Sequence, residues 1–572
     1  MKFDVTADNR SYLEARGKII LNACPGSGKT SAVSFKLTNL ISECERFYGA
    51  YSGVACLSFT NVAKDEINGK YHLIANTKLR YPHLISTIDS FINQYITLPF
   101  YYLQGYGSTR PVILDEVGFL DNMNFGWFAN KRGQPLKVSY PPSKIKIEMN
   151  GTLTVDGSSA NSAIVDPSVF GRFANKVKSW QFEKGYLNND DSTYIAYQLL
   201  MKFPQIAISL VRRFPYIIID EAQDTSEIQY KIFDLLVSAG LENMEFVGDP
   251  YQSLYEFREA RPNLFLERFA DTANWQTLRF NDCRRSSQNI IDAYSLLRVD
   301  SNKIVSTSKC STDHSLKVIR YDENNLAELI AKYESLVDPN ASNQILVRGS
   351  THLEQFGVKS ISDNPWKTDI AKTLIRAEVD LKGGNTKAAI DTLRMLLVQI
   401  SMPDQDYKTH RVYSEALKLD TLTNINLFDF ARDMPTIDDT VKNWNDKMTQ
   451  FIKDRLNTDV DLQLKQKKGA EYYNQNLRNF LYPKVELTFP VSTIHKAKGM
   501  TFNSVMLVLS NNSSGEKISL SDFIRPIGMP TPKQRMIYVA LSRPEVLCCL
   551  AVPNSFTEQK IIDHLGTNLE FI

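Results

Sequence analysis

Apolar runs and helical spacings alternate along the chain. Ile19-Ile20-Leu21, between Lys18 and Asn22, is a short continuous apolar run and reads as a buried strand. The following segment SAVSFKLTNLISECERF sets Val33, Leu37, Leu40 and Ile41 three or four apart, which predicts a helix with one apolar face. The stretch ACPGSGKT lies between them, giving the order strand, glycine-rich turn, helix. Phe214-Pro-Tyr-Ile-Ile-Ile predicts a second buried strand, running into Asp220-Glu221. KIEMNGTLTVDG (146–157) alternates around Asn150-Gly151, a hairpin signal. FGRFANKVKSW reads as a basic helix, and residues 366–484 are helical by composition, with periodic runs such as AAIDTLRMLLVQI.

Length and composition set the outer bounds. A chain of 572 residues exceeds one core, so roughly two to four domains are expected. With 43% hydrophobic and 23% charged residues it reads as an ordinary globular chain. A net charge of +2 argues against an overall basic coat but leaves room for a local basic groove. The 7 cysteines form no C-x-x-C pair, which excludes the usual zinc and iron–sulfur patterns. Their odd number and the polar N-terminus suggest a reducing, cytoplasmic location. No window reaches about 18 apolar residues, so no membrane partner is expected.

The first turn carries candidate chemistry. Gly26 and Gly28 let backbone N–H groups approach phosphates, Lys29 reaches the β- and γ-phosphates, and the Thr30 hydroxyl suits Mg²⁺. Ala23, Gly26, Ser27, Gly28, Lys29 and Thr30 are therefore candidate nucleotide-binding residues. Ala23 stands where the common loop pattern has glycine. Asp220 and Glu221 sit at the C-terminal edge of a strand, where α/β sheets bind ligands. Asp220 would hold Mg²⁺, and Glu221 would orient or deprotonate the attacking water.

These runs, together with DEAQDTS (220–226), VGDPYQSLYEF (247–257), VSTIHKAKGMTF (491–502) and RMIYVALSRP (535–544), resemble the ordered motifs of UvrD/Rep/PcrA-type superfamily 1 helicases. The resemblance implies an α/β fold with two RecA-like P-loop NTPase domains, parallel sheets flanked by helices, and inserted, reduced 1B and 2B subdomains. It places domain 1A at 1–100 and 210–280, 1B at 101–209, 2A at 281–365 and 485–572, and 2B at 366–484. It also implies ATP-driven 3′→5′ movement along single-stranded or partly duplex DNA, with ATP as substrate. Gln252 would sense the γ-phosphate, and Arg543 and Arg285 would be arginine fingers, with Arg284 competing with Arg285 for register. Phe59, Thr60, Asn61, Phe257, Thr493 and His495 would contact DNA.

Departures from the family pattern gather at base and sugar. Asn9 stands near the place of an adenine-reading glutamine, Arg284 in the place of an adenine-stacking tyrosine, and Thr501 in the place of a ribose-binding glutamate. GTP and dATP are therefore expected to serve beside ATP. Asp89 in STIDSF replaces a histidine, and Lys465, Lys467 and Lys468 form a basic run read as a solvated face. The chain ends soon after Arg543, so no fused nuclease domain is expected. Three functional readings stay open. One is a DNA translocase or helicase, and another a housekeeping DNA-repair helicase. The third is a DNA-sensing NTPase subunit working with a separate nuclease in antiviral defence, the compact build of the Gabija phage-defence helicase-like subunit.

Overall fold

The computed structural model describes all residues except 1–6, 108, 115–116, 255–259, 301, 309–313, 324, 350–352, 354–355, 357–365, 383–385, 403–404, 406, 418–420, 466–472, 478–488 and 516. The chain divides into two compact units, Met1–Asn343 with Ile494–Ile572, and Gln344–Thr493.

In the first unit, helix α1 (Ala7–Glu14) precedes strand β1 (Ile19–Ala23), helix α2 (Lys29–Tyr48), β2 (Val54–Ser58), α3 (Asn61–Ala75) and β3 (Leu84–Thr87). After an insertion come β4 (Tyr216–Asp220), α4 (Glu227–Ser238), β5 (Asn243–Gly248) and β6 (Gln276–Phe280). The six strands form one sheet in the order β6-β1-β5-β4-β2-β3. Every pairing in it is parallel. The inner strands β1, β2 and β4 are buried along their whole length because both faces are covered. Ile20, Ala55, Leu57, Ile217, Ile219 and Phe246 face one core. Ile19, Leu21, Val54, Cys56, Ile218 and Val247 face the other, beneath α1 to α3. A buried ion pair, Lys36 Nζ to Glu245 Oε1 at 2.7 Å, ties α2 to β5. The Tyr12 ring lies 4.1 Å from the same ammonium and brings α1 into that contact.

The insertion contains the expected hairpin, Ile145–Ile147 antiparallel to Leu153–Val155. The basic segment lies on a helix, Pro167–Lys184, capped by Asp166. Farther along come α5 (Gln288–Ser295), β7 (Leu316–Tyr321), β8 (Phe502–Val508), α6 (Pro532–Leu541), β9 (Pro544–Pro553) and β10 (Leu569–Phe571). Within this unit the second sheet runs β8-β9-β7-β10, again parallel throughout. α6 starts with Pro532 after a Thr531/Gln534 capping box, which satisfies first-turn N–H groups and fixes where the helix begins.

In the second unit, Ile345–Val347 runs parallel to Val491–Thr493. The remainder is helical, with Ile370–Lys382, Thr386–Ser401, Tyr407–Leu417, Thr421–Asp433 and Val441–Leu456. Its core packs Leu374, Leu393, Phe430 and Met448 around Trp366 and Trp444. Lys465 is described there, whereas Lys467 and Lys468 lie outside the described residues.

Candidate active site

The turn between β1 and α2 sits at the carboxyl edge of the first sheet. Gly26 has φ +72°, and a Cβ there would lie 2.6 Å from Arg285 Cβ and 3.0 Å from Cys283 Sγ. Only glycine lets the segment carrying Arg285 close over the turn. The Arg284 N–H donates to the Gly26 carbonyl at 2.9 Å and fixes that closure. Gly28, with φ +83°, starts α2 directly at Lys29. Ala23 is buried at the end of β1, within the core below α2.

Lys29 faces two carboxylates. Its Nζ lies 2.6 Å from Glu221 Oε1 and 3.6 Å from Asp220 Oδ1. Glu221 has φ +56°, a left-handed conformation that costs a non-glycine residue on the order of 1–3 kcal/mol. Its second oxygen accepts from Gln223 Nε2 at 2.5 Å, and Gln223 Oε1 accepts from the Asp249 N–H at 3.1 Å. A Cβ at Gly248 would lie 2.2 Å from that Oε1, so a side chain there would displace the Gln223 amide from this arrangement. Burial opposes the Lys29 charge, but Glu221 and Asp220 outweigh it and raise its pKa. Burial, with Glu221 beside it, pushes Asp220 up against the pull of Lys29. Burial would also raise Glu221, but Lys29 and Lys498 overcome it and hold the carboxyl low, in its ionised form.

Two arginines reach the same place, Arg543 from between α6 and β9 of the second sheet and Arg285 from the segment before α5. Arg543 is 2% exposed. Its Nη2 donates to Gln252 Oε1 at 2.5 Å and to Ser542 Oγ at 2.9 Å. Arg285 Nη1 donates to the Ser542 carbonyl at 2.9 Å. Burial first, and then the like charge of Arg285, disfavours the Arg543 cation. A cavity of about 420 Å³ opens among these groups, lined by Lys29, Thr30, Glu221, Gln252, Arg285 and Arg543. Ala23, Gly26, Ser27, Gly28, Phe59, Thr60 and His495 also border it.

Other sequence candidates are placed elsewhere. Asn9 is buried on α1 and lies outside the cavity lining. Arg284 also lies outside the lining, its Nη1 3.9 Å from where a Gly28 Cβ would be. Thr60 caps α3 through Ala63 N–H, and Asn61 Oδ1 accepts from Lys64 Nζ at 3.3 Å. Phe59 borders the cavity and also a polar groove of about 670 Å³ with Asp89, Lys146, Gln229 and Arg261. Asp89 there accepts from Gln229 Nε2 at 2.9 Å. Thr493 ends a strand of the second unit. Phe257 lies outside the described residues.

The structure adds residues that sequence reasoning left without a role. Lys498, in HKAKG, pairs with Asp224, the last acid of DEAQD. Both are largely buried and border the cavity. Asp249 accepts from Gln252 Nε2 at 2.8 Å and from the Tyr538 hydroxyl at 3.1 Å. The signal was present, since all four stand inside quoted motifs, but their partners lie far away in sequence.

The donor set fits a triphosphate with a hard cation. Asp220 Oδ1 and Ser27 Oγ are buried and carry no hydrogen bond. A carboxylate oxygen that faces the Lys29 ammonium without a hydrogen bond, with the Thr30 hydroxyl on the same turn as Lys29, suits Mg²⁺, which takes oxygen ligands. Residues 5–273 match the model of the UvrD/REP helicase N-terminal domain. Over those residues the chain is UvrD/Rep/PcrA-like. It is 22% identical over 428 residues to the ATP-dependent DNA helicase PcrA of Leuconostoc citreum, covering 70% of this chain and 53% of that protein. It is 25% identical over 325 residues to the ATP-dependent DNA helicase Rep of Buchnera aphidicola, covering 55% and 49%. Over 189 residues it is 28% identical to one of the subunits of an ATP-dependent helicase/nuclease from Clostridium perfringens, covering 30% and 14%. The UvrD-like chain thus spans about half the length of its PcrA and Rep relatives, and less of the helicase/nuclease protein. Its parallel sheets flanked by helices are the α/β architecture expected of two RecA-like domains. Among the described residues no helix is long and apolar enough to cross a membrane.

Proposed function

We propose that the chain is an NTP-hydrolysing motor that moves along single-stranded DNA and acts as a 3′→5′ helicase. The observation that carries this reading is the convergence of Lys29, Glu221, Gln252, Arg285 and Arg543 on one cavity beside Asp220. Its first-sheet and second-sheet sides each supply part of the charge. A triphosphate competes with Glu221 for Lys29, and the displaced carboxylate is left ionised and free to orient water and take its proton. Thr30 and Asp220 would hold Mg²⁺, which neutralises phosphate charge when bound. Arg285 and Arg543 meet at Ser542, and the charge of Arg285 disfavours that of Arg543, so an anion between them is favoured. Hydrolysis would thereby depend on the second sheet's closing over the first.

Gln252 links the phosphate side to Arg543, and Gly26, Ser27 and Gly28 cradle the phosphates. Asn9 and Arg284 would meet the base, with GTP and dATP used beside ATP. Phe59, Thr60, Asn61, Phe257, Thr493 and His495 would carry DNA. In domain terms, 1A would comprise 1–100 and 210–280, 1B 101–209, 2A 281–365 and 485–572, and 2B 366–484. A second reading, a DNA-sensing NTPase working beside a separate nuclease, draws on the match to a helicase/nuclease protein. The deciding experiment measures hydrolysis of all four NTPs with and without single-stranded DNA, then strand separation. DNA-stimulated turnover with unwinding supports the motor. Turnover without unwinding supports the DNA sensor, and no turnover overturns both.

A further inference from the structure

Gln252 and Arg543 sit at the end of a buried chain of hydrogen bonds whose other end is Arg298. Arg298 is 4% exposed and lies just beyond α5. Its guanidinium grips Asp300 through Nη2, at 2.9 and 2.7 Å to the two oxygens, and through Nε at 3.1 Å. Its Nη1 reaches the Tyr538 hydroxyl at 3.3 Å. Tyr538 donates to Asp249 Oδ2 at 3.1 Å, Gln252 Nε2 donates to the same oxygen at 2.8 Å, and Arg543 donates to Gln252 Oε1 at 2.5 Å.

The donor and acceptor inventory sets the direction of every bond in this chain. Arginine only donates, so the Tyr538 oxygen must accept from Arg298 and spend its single proton on Asp249. Asp249 accepts the Tyr538 proton on Oδ2 and the Tyr251 N–H on Oδ1, and the same Oδ2 receives the Gln252 amide N–H₂. The amide oxygen is then the end left for Arg543, which itself can only donate. Reversing the amide would set N–H₂ against a guanidinium and oxygen against a carboxylate. We infer that Arg298 is a positioning residue for NTP hydrolysis, fixing through Tyr538 and Asp249 the amide orientation by which Gln252 holds Arg543 at the cavity.

The frame around the relay is rigid. Arg298 lies over the Tyr251 ring at 4.9 Å, and the Asp300 N–H donates to the Tyr251 hydroxyl at 3.3 Å. The Tyr251 N–H donates to the other Asp249 oxygen at 3.0 Å. The Tyr294 ring packs edge-on against Tyr538 at 5.1 Å. The relay therefore joins elements of both sheets. Asp249 and Gln252 follow β5, and Tyr538 lies on α6, one helical turn before the Ser542–Arg543 pair.

This inference rests on the hydrolysis reading above, and its test keeps the two apart. DNA-stimulated kcat and KM are measured for wild type, K29A, R298M, Y538F, the R298M/Y538F double variant and R298K, with melting temperatures. Wild-type turnover that K29A abolishes upholds hydrolysis whatever the relay variants do, and its absence overturns hydrolysis and relay together. R298M and Y538F should each lower kcat by on the order of tenfold to a hundredfold, the scale of a misplaced catalytic group, with KM nearly unchanged. The double variant should be no worse than the poorer single one, because both cut the same chain. R298K should recover only part, since lysine lacks the fork that holds Asp300 while reaching Tyr538. Multiplying losses in the double variant, or kcat unchanged with only the melting temperature lowered, would overturn the relay. Should R298M not fold, Y538F decides alone, because it removes one oxygen and keeps the packed ring; wild-type kcat in Y538F then rejects the relay.

Discussion

Around Lys29 the charged groups face opposite charges: Glu221 at 2.6 Å, Asp220 at 3.6 Å, and Lys498 against Asp224 close by. The side chains expected to meet base and ribose are arranged differently. Asn9 is buried on α1, Arg284 stands beside Gly28 outside the cavity lining, and Thr501 is exposed. On the phosphate side the charges are buried and paired, whereas the side chains expected at the base are scattered polar groups. Preorganised charge in a dry site acts strongly on a phosphoryl group, whereas a loosely specified base pocket sets little selectivity.

The largest effect should come from the arginines. Arg543→Ala should slow turnover by about 10³–10⁵, the worth of an arginine that neutralises transferring phosphoryl charge. Arg285→Ala should act in the same direction, since Arg285 borders the cavity and shares Ser542 with Arg543. Arg284→Ala should alter nucleotide affinity instead. Steady-state kinetics check all three, and exchanged roles for positions 284 and 285 would overturn the assigned register.

Glu221→Gln should lower kcat by roughly 10²–10⁴, the usual contribution of a general base. Nucleotide binding should survive, because the amide no longer competes as an anion for Lys29 and Asp220 is untouched. A fluorescent-nucleotide titration beside the kinetics separates the two. Loss of binding in this variant would mean that Glu221 holds the site together rather than activating water.

Gly26→Ala should cost stability as well as binding. A left-handed φ costs an alanine roughly 1–2 kcal/mol, and the clash with Arg285 adds to it by about 1–3 kcal/mol if the segment cannot shift. Thermal unfolding reads this directly, and a wild-type melting temperature would show that the 282–285 segment moves freely off the turn.

How much of this was legible in sequence follows from distance along the chain. The β1 turn and the β4 acids are local patterns, an apolar run abutting a turn with functional side chains, and such patterns survive reading one residue after another. The Asn150-Gly151 hairpin is local in the same way, and the structure forms it. The Lys498–Asp224 pair joins residues 274 apart and the Tyr538–Asp249 bond residues 289 apart. Nothing near Arg298 announces a partner 240 positions away. Such long-range pairs exist only once both sheets have folded, so composition and periodicity carry no trace of them.

Phe59→Ala tests the second region that adjoins the cavity. The ring borders both the nucleotide cavity and the polar groove with Asp89 and Arg261. If it stacks on DNA bases, its removal should weaken single-strand binding by about 1–3 kcal/mol, with basal hydrolysis largely kept. Fluorescence anisotropy with a labelled oligonucleotide gives the affinity. Unchanged affinity would assign the ring to packing between the two spaces.

The smallest effect should be the one between nucleotides. Asparagine at position 9 has a shorter reach than glutamine, and an arginine at 284 offers a flat guanidinium that stacks on any purine. Neither group rejects guanine, and neither borders the cavity in the way the phosphate ligands do. GTP and dATP should therefore support kcat/KM within about tenfold of ATP, a difference of about 1.4 kcal/mol. A pocket that read adenine by a buried polar pair would exceed this, because the wrong base would leave a donor or acceptor unmet at about 1–3 kcal/mol per group. A competition series at fixed Mg²⁺ gives the ratios. GTP reduced a hundredfold or more would show that the base end is as firmly built as the phosphate end. Asn9→Gln then locates the reader: a sharper ATP preference places the discrimination at position 9 on α1, and no change moves it to Arg284 beside Gly28.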